Sequence, residues 1–369
     1  MASNPTLNTS IHPSLSSASR KPNPLSFHPH LHLSTTPRKT LFAQSSAAPS
    51  LSSPTFDLKT YWKSLISEID VQLDAAVPLR FPSVIHEAMR HTVLSPGAKR
   101  ASPILCIATC ELFGAPRSLA LPTACALEMI HAASLIHDDL PCMDDAPARR
   151  GRPSNHAAFG MDMAILAGDA LFPLAFAHIT NAYCADQNHN TTLSYTSVLR
   201  LVTEIASTVG ARGMVEGQFL DLHSTALGAL GGVAGDYFET DIMKGRELVE
   251  RIVEKKFGVM AECSAVCGAI VGGANEEEME HLRRYGRAVG VLYQVVDDIK
   301  EVRGGKNEEG GEKKRSRASY ARAYGVQGAM QLAEGLREQA KRELQGFHGA
   351  GVLPLYSFVD YAINRDFEI

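Results

Sequence analysis

The chain has 369 residues, of which 45% are hydrophobic and 21% are charged, and its formal net charge is -4. This composition supplies enough apolar side chains for a buried core, and the small negative charge argues against a surface that binds nucleic acid. No run of eighteen apolar residues occurs, which argues against a transmembrane segment. The seven cysteines are an odd number within apolar segments, which does not fit a secreted disulfide framework.

The first 56 residues differ in composition from the rest of the chain. They contain no Asp or Glu, since the first acid is Asp57, and they are rich in serine. A serine-rich, weakly basic leader without a central apolar stretch predicts a disordered transit peptide over residues 1–56, and the scarcity of arginine favours the plastid (chloroplast) as its destination. The alternative is a disordered tail without a targeting role.

From residue 57 onward the hydrophobic pattern is helical. Apolar residues recur at spacings of three and four between Trp62 and Leu73. Longer apolar segments follow, at residues 103–114, 126–137, 163–180, 194–210, 259–273 and 287–302. They end at glycine, proline or polar clusters, as buried helices do. The sequence therefore predicts a single all-α domain over residues 57–369.

Two segments have cysteines at helical spacing, CIATC at residues 106–110 and CSAVC at residues 263–267. The spacing places both sulfurs of a pair on one face of a helix. Buried packing is the ordinary role of such cysteines, and zinc ligation is the alternative, although structural zinc sites usually use a shorter spacing on turns.

Two acidic clusters stand at the ends of apolar helices. The first is Asp138 and Asp139, followed by Pro141 and Asp144 in a loop; the second is Asp297 and Asp298, with Glu301 one turn later. Solvated helix ends are the alternative interpretation for either cluster. Two clusters facing one cavity, however, would repel each other unless divalent cations lay between them, and Mg²⁺ prefers carboxylate oxygens shared with substrate phosphates.

Basic residues accompany both clusters. Arg149 and Arg150 follow the first one, and Lys99, Arg100 and Lys256 adjoin apolar helices. Arginine binds phosphate oxygens in a bidentate fork. Metal ions and fixed cations together suit a reaction in which diphosphate leaves an allylic carbon, because they stabilise the charge that develops on the leaving group.

On these residues the chain resembles the trans-prenyl diphosphate synthases, and among them the plastid geranylgeranyl diphosphate synthases of plants. DDLPCMD with the RRG that follows matches the family's first aspartate-rich motif, and QVVDDIKE stands where its second one is found. HEAMR, LCIATCEL, EMIH, LAGDAL and EGQFLD are also in register. The resemblance implies an isoprenoid-synthase-type bundle of long, mostly antiparallel helices around a central cavity, usually dimeric.

The same resemblance implies roles for individual residues. The acids of the two motifs are the predicted Mg²⁺ ligands: Asp138, Asp139, Asp144, Asp297 and Asp298. Isopentenyl diphosphate is expected at Lys99, His131 and Arg150. The allylic diphosphate is expected at Arg149, Lys256 and Gln294.

The chain departs from the family pattern where the second substrate binds. In PGAKRASP, Ser102 replaces an arginine that holds isopentenyl diphosphate, and Phe257 replaces a threonine after Lys256. Glu301 replaces an aspartate, and the lysines that follow the second motif have no match in residues 303–317. A hydrogen bond to a charged group contributes about 1.5–3 kcal/mol, so the loss at position 102 alone weakens isopentenyl diphosphate binding by about one to two decades.

Within the family, this pattern resembles the small-subunit type, whose members carry two C-x-x-x-C motifs and pair with a catalytic large subunit. We therefore expect a heterodimer, with Cys106, Cys110, Cys263 and Cys267 on helical faces available to the partner. Two alternatives remain: a self-sufficient Mg²⁺-dependent short-chain prenyltransferase, and a non-catalytic scaffold for terpenoid enzymes. A terpene cyclase is disfavoured because the first motif follows the chain-elongating pattern.

Overall fold

The computed structural model describes residues 56–184, 193–229, 245–304 and 318–365, all within one compact unit that begins at Pro54. The described part is helical apart from one two-residue hairpin, so the predicted all-α class is confirmed. The predicted transit peptide lies outside the described residues except for Phe56. Most of the polar segment after the second acid motif, residues 305–317, lies outside them as well.

The elements follow one another in a simple order. The four N-terminal helices are α1 (Leu58–Ala76), α2 (Ser83–Val93), α3 (Ala101–Leu112) and α4 (Arg117–Asp138). The hairpin of β1 (Ala148–Arg149) and β2 (Arg152–Pro153) precedes α5 (Asn155–Phe159), α6 (Met161–Cys184), α7 (Tyr195–Val209) and α8 (Met214–Ala229). The remaining helices are α9 (Arg246–Val253), a π-helical turn (Glu254–Gly258), α10 (Val259–Gly272), α11 (Glu276–Arg303), α12 (Tyr320–Glu343), a 3₁₀ turn (Ala350–Val352) and α13 (Leu353–Asn364).

Helix α1 forms where the apolar spacing predicts it, and it fixes the start of α3. Asp57 caps its N-terminus by accepting a hydrogen bond from the Thr60 backbone. Trp62 is buried, stacks on Phe358 of α13, and donates from its indole nitrogen to the carbonyl oxygen of Lys99 at 2.7 Å. The backbone just before α3 is thereby held against the core, and with it the predicted Lys99 site.

Helices α3 and α10 pack very closely in the centre of the molecule. A Cβ atom on Gly268 would lie 2.2 Å from the carbonyl oxygen of Cys106, which no side chain tolerates. A second close approach joins α4 and α6, where a Cβ on Gly168 would lie 2.2 Å from the ring of His137. Glycine is therefore required at Gly268, where the obstacle is backbone, whereas at Gly168 a side chain would require the His137 ring to move.

The cysteines of both C-x-x-x-C segments lie inside this packing. Cys106, Cys110, Cys263 and Cys267 are each at most 1% exposed, and the sulfurs of Cys263 and Cys267 are 3.8 Å apart. Burial raises the pKa of Cys106 well above its usual value. The expectation that these thiols face a partner is therefore wrong for the described chain, because the shared helical face is the face turned into the core. The burial of all four thiols agrees with the packing role that is ordinary for such cysteines.

Helices α4 and α6 are both long and apolar enough to match a membrane-spanning helix by length and composition. In α4, 67% of the most apolar window is buried inside the protein, as in a core helix, whereas in α6 only 33% is buried. The exposed side of α6 carries Ile165 and Leu166 together with the charged Asp162 and Asp169. Charges are costly in a lipid environment, so this side is better suited to a protein contact.

Candidate active site

The first acid motif is a helix end followed by a tight loop. Helix α4 stops at Asp138, and the loop returns at once, because the Asp144 backbone donates to the carbonyl oxygen of Asp138 at 2.9 Å. Asp145 then takes a left-handed backbone conformation with φ of 51°. The loop leads into the β1–β2 hairpin, which presents Arg149 and Arg150 beside the carboxylates that precede them.

Asp139 is engaged by Arg149. The guanidinium donates from Nε to Oδ2 at 2.7 Å and from Nη2 to Oδ1 at 2.6 Å, and the Asp139 side chain is 3% exposed. Burial alone would lower the pKa of Arg149, but the hydrogen bonds it donates to Asp139 and the nearby charges of Asp138 and Asp144 outweigh burial, so the pKa is raised above its usual value. A carboxylate in such a bidentate pair orients the arginine, so Asp139 is engaged within the protein, and Mg²⁺ ligation by Asp138 and Asp144 stays a prediction.

Arg150 differs from its neighbour. It has a left-handed backbone with φ of 52°, and it has no acidic partner within the part of the chain that the structure describes. Burial lowers its pKa, as do the positive charges of Arg100 and Arg149, whereas the nearby carboxylates of Glu128 and Asp139 act in the opposite direction. A guanidinium among like charges, without a carboxylate partner of its own, favours an anionic ligand.

His131 lies on α4 close to the same three arginines. Burial lowers its pKa from the usual 6.5, and Arg150, Arg149 and Arg100 lower it as well. The ring is therefore neutral near pH 7 and can donate one N–H to an oxygen of a ligand. The structure thus brings together His131 and Arg150, two of the three residues predicted to hold isopentenyl diphosphate.

Lys99 and Arg100 are consecutive residues whose side chains contact different helices. Arg100 is buried and has a left-handed backbone with φ of 53° at the start of α3; it pairs with Glu128 of α4 and donates from Nε to Asp70 at 2.9 Å. Lys99 turns the other way and donates from Nζ to the hydroxyl of Tyr293 on α11 at 2.8 Å. Of these consecutive residues, Lys99 therefore reaches the second acid motif on α11, while Arg100 joins α1 to α4.

The second acid motif lies on the last turns of α11. Asp298 is buried, where it accepts from the Gln294 amide at 2.8 Å and from the Tyr320 backbone at the start of α12 at 2.7 Å. Burial raises its pKa. Asp298 therefore anchors α12 on α11, and Gln294, a predicted allylic diphosphate ligand, donates to that anchor.

Asp297, on the other side of α11, is 44% exposed and forms an ion pair with Arg365 at 3.2 Å. Glu301 is exposed and lies 3.5 Å from Arg322. Each acid of the second motif therefore already has a partner from another helix or from the end of α13.

Lys256 occupies the π-helical turn between α9 and α10. Its Nζ lies 2.6 Å from Asp221 of α8, and both side chains are largely buried. A π-helical turn often marks a functional position. Phe257 follows with 38% of its surface exposed, so the position where the family carries a threonine presents an aromatic ring instead of a hydroxyl.

A family model for polyprenyl synthetases matches residues 82–338. The chain belongs to the polyprenyl synthetase family. It is 53% identical to the chloroplastic heterodimeric geranylgeranyl pyrophosphate synthase small subunit of Arabidopsis thaliana, over 88% of this chain and 89% of that protein. It is 42% identical to the corresponding large subunit 1 of the same plant, over 84% of this chain and 80% of that protein.

Solved structures agree with this membership. The crystal structure of a FPP/GFPP synthase from Zymomonas mobilis superposes with a TM-score of 0.68 at 30% identity and covers 83% of this chain and 98% of that one. The isoprenoid-synthase type of helical bundle, predicted from the motifs, is thereby confirmed.

The donor set of this polyprenyl synthetase suits a hard cation. Asp138, Asp144 and Asp297 offer only carboxylate oxygens, the ligands that Mg²⁺ prefers. No group of three or more His, Cys, Asp or Glu side chains stands close enough to hold a metal ion by itself within the described ranges. Ligand phosphates and water would have to complete the coordination, which is usual for Mg²⁺ at phosphate sites.

The larger of two cavities in the described part of the chain does not coincide with these residues. A cavity of about 500 Å³ lies between α1, α2 and α6, lined by Gln72, Ala76, His86, Leu174 and His178 among others. A much smaller one, of about 10 Å³, borders Asp139, Arg149 and Arg150. We assign the candidate site from the acids and arginines rather than from cavity size, because the larger cavity is lined by no carboxylate.

Several residues of the site were not predicted from the sequence. Glu128 and Asp70 hold Arg100, Tyr293 holds Lys99, and Arg365 holds Asp297. Tyr293 directly precedes Gln294 in the second motif and could have been noticed there. Arg365 follows α13, far from either motif in sequence, and no sequence signal marks it.

Proposed function

We propose that the chain is the small, regulatory subunit of a heterodimeric geranyl/geranylgeranyl diphosphate synthase of the plastid, with weak or no turnover alone. It binds Mg²⁺ and an allylic diphosphate at the first acid motif and pairs with a catalytic large subunit. The observation that carries the proposal is Ser102, which stands in the first turn of α3 where the family has an arginine for isopentenyl diphosphate.

The relatives support this assignment. The chloroplastic protein that is 53% identical over most of both chains is described as a heterodimeric small subunit, and its large subunit is 42% identical to this chain. The higher identity to the small subunit favours the regulatory role. Plastid location is supported by the chloroplastic relatives and by the acid-free leader.

The geometry of the site also supports it. Arg150 and His131 are arranged to receive a phosphate, whereas Lys99, Lys256 and Asp297 are each paired with a side chain of the same protein. A ligand that used these three would first have to replace existing contacts, which reduces its net binding free energy. Because the paired residues include one predicted for isopentenyl diphosphate (Lys99) and one predicted for the allylic diphosphate (Lys256), such a site should catalyse condensation poorly.

The exposed face of α6 supplies a surface for the partner. Met161, Ile165 and Leu166 are 41–54% exposed on a helix that is otherwise mostly apolar. Three large apolar side chains exposed within two turns of one helix are a feature of many protein contacts. A large subunit with the same fold is the partner that the relatives favour, so we assign the heterodimer contact to this face.

Turnover assays test the proposal directly. This chain, the large subunit and their mixture are each incubated with Mg²⁺, isopentenyl diphosphate and geranyl diphosphate. We expect negligible product from this chain alone, and a rate or product length in the mixture that differs from that of the large subunit alone. Fast turnover by this chain alone would favour the self-sufficient prenyltransferase and would contradict the proposal. Failure of calorimetry to detect Mg²⁺-dependent uptake of geranyl diphosphate would favour the scaffold.

The partner surface is tested with matched substitutions. Leu166→Glu places a charge on the α6 face, where the leucine is 45% exposed. Met330→Glu places one on α12, where the methionine is 40% exposed. Burying a leucine contributes about 1.5–3 kcal/mol, so Leu166→Glu should weaken the heterodimer at least about tenfold in sedimentation equilibrium. Met330→Glu should leave it unchanged, and equal effects of the two variants would contradict this assignment of the surface.

A further inference from the structure

Arg365 is held tightly at the second acid motif. Its guanidinium lies 3.3 Å above the ring centroid of Tyr293 and 5.6 Å from that of Tyr361. It donates from Nη2 to the carbonyl oxygen of Tyr293 at 2.8 Å and from Nε to that of Ala362 at 3.0 Å. Its side chain is 5% exposed. This is a built contact rather than a surface ion pair, because stacking and carbonyl hydrogen bonds fix the guanidinium independently of Asp297.

The backbone of Arg365 is also specialised. It has φ of 49° and ψ of 47°, a left-handed conformation that ends α13. Non-glycine residues rarely adopt it and do so mainly where surrounding contacts hold them. The conformation turns the side chain back toward α11, where it meets Asp297.

Asp297 therefore lies between two cations of its own protein. Arg365 is 3.2 Å away, and Lys99 is close enough for Asp297 to stabilise its ammonium group. A divalent cation beside this carboxylate would be repelled by both, and it would gain less from a carboxylate whose charge is already compensated.

We infer that Arg365 is the built-in counter-ion of Asp297 and lowers the metal affinity of the second acid motif. This determinant of metal affinity rests on the proposed function and deepens it, since it makes the second motif the weaker of the two predicted metal sites. Arg365 touches no reacting atom and acts through Asp297.

The test measures binding of Mn²⁺, used alone as a stand-in for Mg²⁺, by counting the free aqua ion with electron paramagnetic resonance. Arg365→Gln should bind Mn²⁺ about tenfold more tightly at the second motif than the wild type, an effect kept moderate because Asp297 is 44% exposed. Arg365→Lys, which keeps the charge, should behave as the wild type. The double variant Arg365→Gln/Asp297→Asn should not show the increase in Mn²⁺ affinity.

Arg337→Gln is the matched control, because Arg337 also pairs with an acid near α13, Asp360, without approaching Asp297. It should leave the Mn²⁺ titration unchanged. No gain in Arg365→Gln, or a gain that survives in the double variant, would overturn the inference. If circular dichroism shows that Arg365→Gln does not fold, Asp297→Asn in the native background decides: a change of less than about twofold supports the inference and a larger loss overturns it.

The outcome also separates this inference from the proposed function. If the wild type takes up Mn²⁺ through Asp138 and Arg365→Gln adds nothing, only the inference fails. If neither protein takes up Mn²⁺, and Asp138→Asn changes nothing, the proposed metal–diphosphate site fails together with it.

Discussion

The two acid motifs look alike in sequence but differ in what surrounds them. At the first, Arg149 is oriented by Asp139, while Arg150 has no acidic partner among the described residues. At the second, Asp297 is paired with Arg365 and Asp298 anchors α12. At the second motif a fixed arginine compensates Asp297, whereas at the first motif the arginine near Asp138 and Asp144 is held by Asp139. An aspartate-rich motif therefore identifies the family without establishing that both metal positions are equivalent.

The largest expected effect is a loss of stability on substitution of Arg100, which lies outside both acid motifs. Its side chain is 2% exposed and that of its partner Glu128 is 3% exposed. Arg100→Met would leave a buried carboxylate uncompensated, which costs about 3–5 kcal/mol of unfolding free energy. Denaturant unfolding measures this loss.

The control for that prediction is the double variant Arg100→Met/Glu128→Leu, which removes both charges and should recover most of the stability. A single variant as stable as the wild type would mean that the pair does not hold α3 on α4.

Arg150 tests the first region. Arg150→Gln removes the guanidinium that has no acidic partner, so diphosphate binding should weaken by about 1.5–3 kcal/mol, or roughly ten- to a hundredfold. Calorimetry with inorganic pyrophosphate and Mg²⁺ measures it. Arg152→Gln, on the other strand of the same exposed hairpin, should change binding little. Equal losses of pyrophosphate affinity in Arg150→Gln and Arg152→Gln would indicate a general effect of positive charge.

Ser102 tests whether the second substrate site can be completed. Ser102→Arg restores a guanidinium in the first turn of α3, and we expect isopentenyl diphosphate to bind about tenfold more tightly. Ser102→Gln, of similar length but neutral, should not improve binding. Should arginine give no gain, the other departures, such as Phe257, would be the dominant cause of the deficit.

The smallest effect concerns pH. Because burial lowers the folded-state pKa of His131 from 6.5, its contribution to stability is present above pH 6.5 and is lost as the pH falls through the lowered value. His131→Asn should therefore lose less stability between pH 7 and pH 5 than the wild type. Thermal melts at several pH values measure the difference, with His348→Asn, an exposed histidine, as the control. If stability falls equally with pH in the wild type and in His131→Asn, the prediction is contradicted.

Much of this structure was predictable from the sequence, for identifiable reasons. The spacing from Trp62 to Leu73 predicted α1, because a helix buries every third or fourth residue. Acids at the ends of apolar segments indicated both motifs. The cysteines show the limit of such patterns: helical spacing says that Cys263 and Cys267 share a face, but not whether that face meets the core or a partner.

The partners of charged residues were less predictable. The sequence placed Asp139 and Asp298 among metal ligands, as neighbours in a motif, whereas the structure pairs one with Arg149 and uses the other to anchor α12. The link between Asp297 and Arg365 depends on how α13 packs on α11, which no local pattern encodes.

Calorimetric titration of geranyl diphosphate with Mg²⁺ into the wild type, Asp138→Asn and Asp297→Asn tests the inequality of the two motifs most directly. We expect Asp138→Asn to lose affinity by about tenfold or more and Asp297→Asn to stay within about threefold of the wild type. Equal losses in the two variants, or a larger loss in Asp297→Asn, would contradict this expectation.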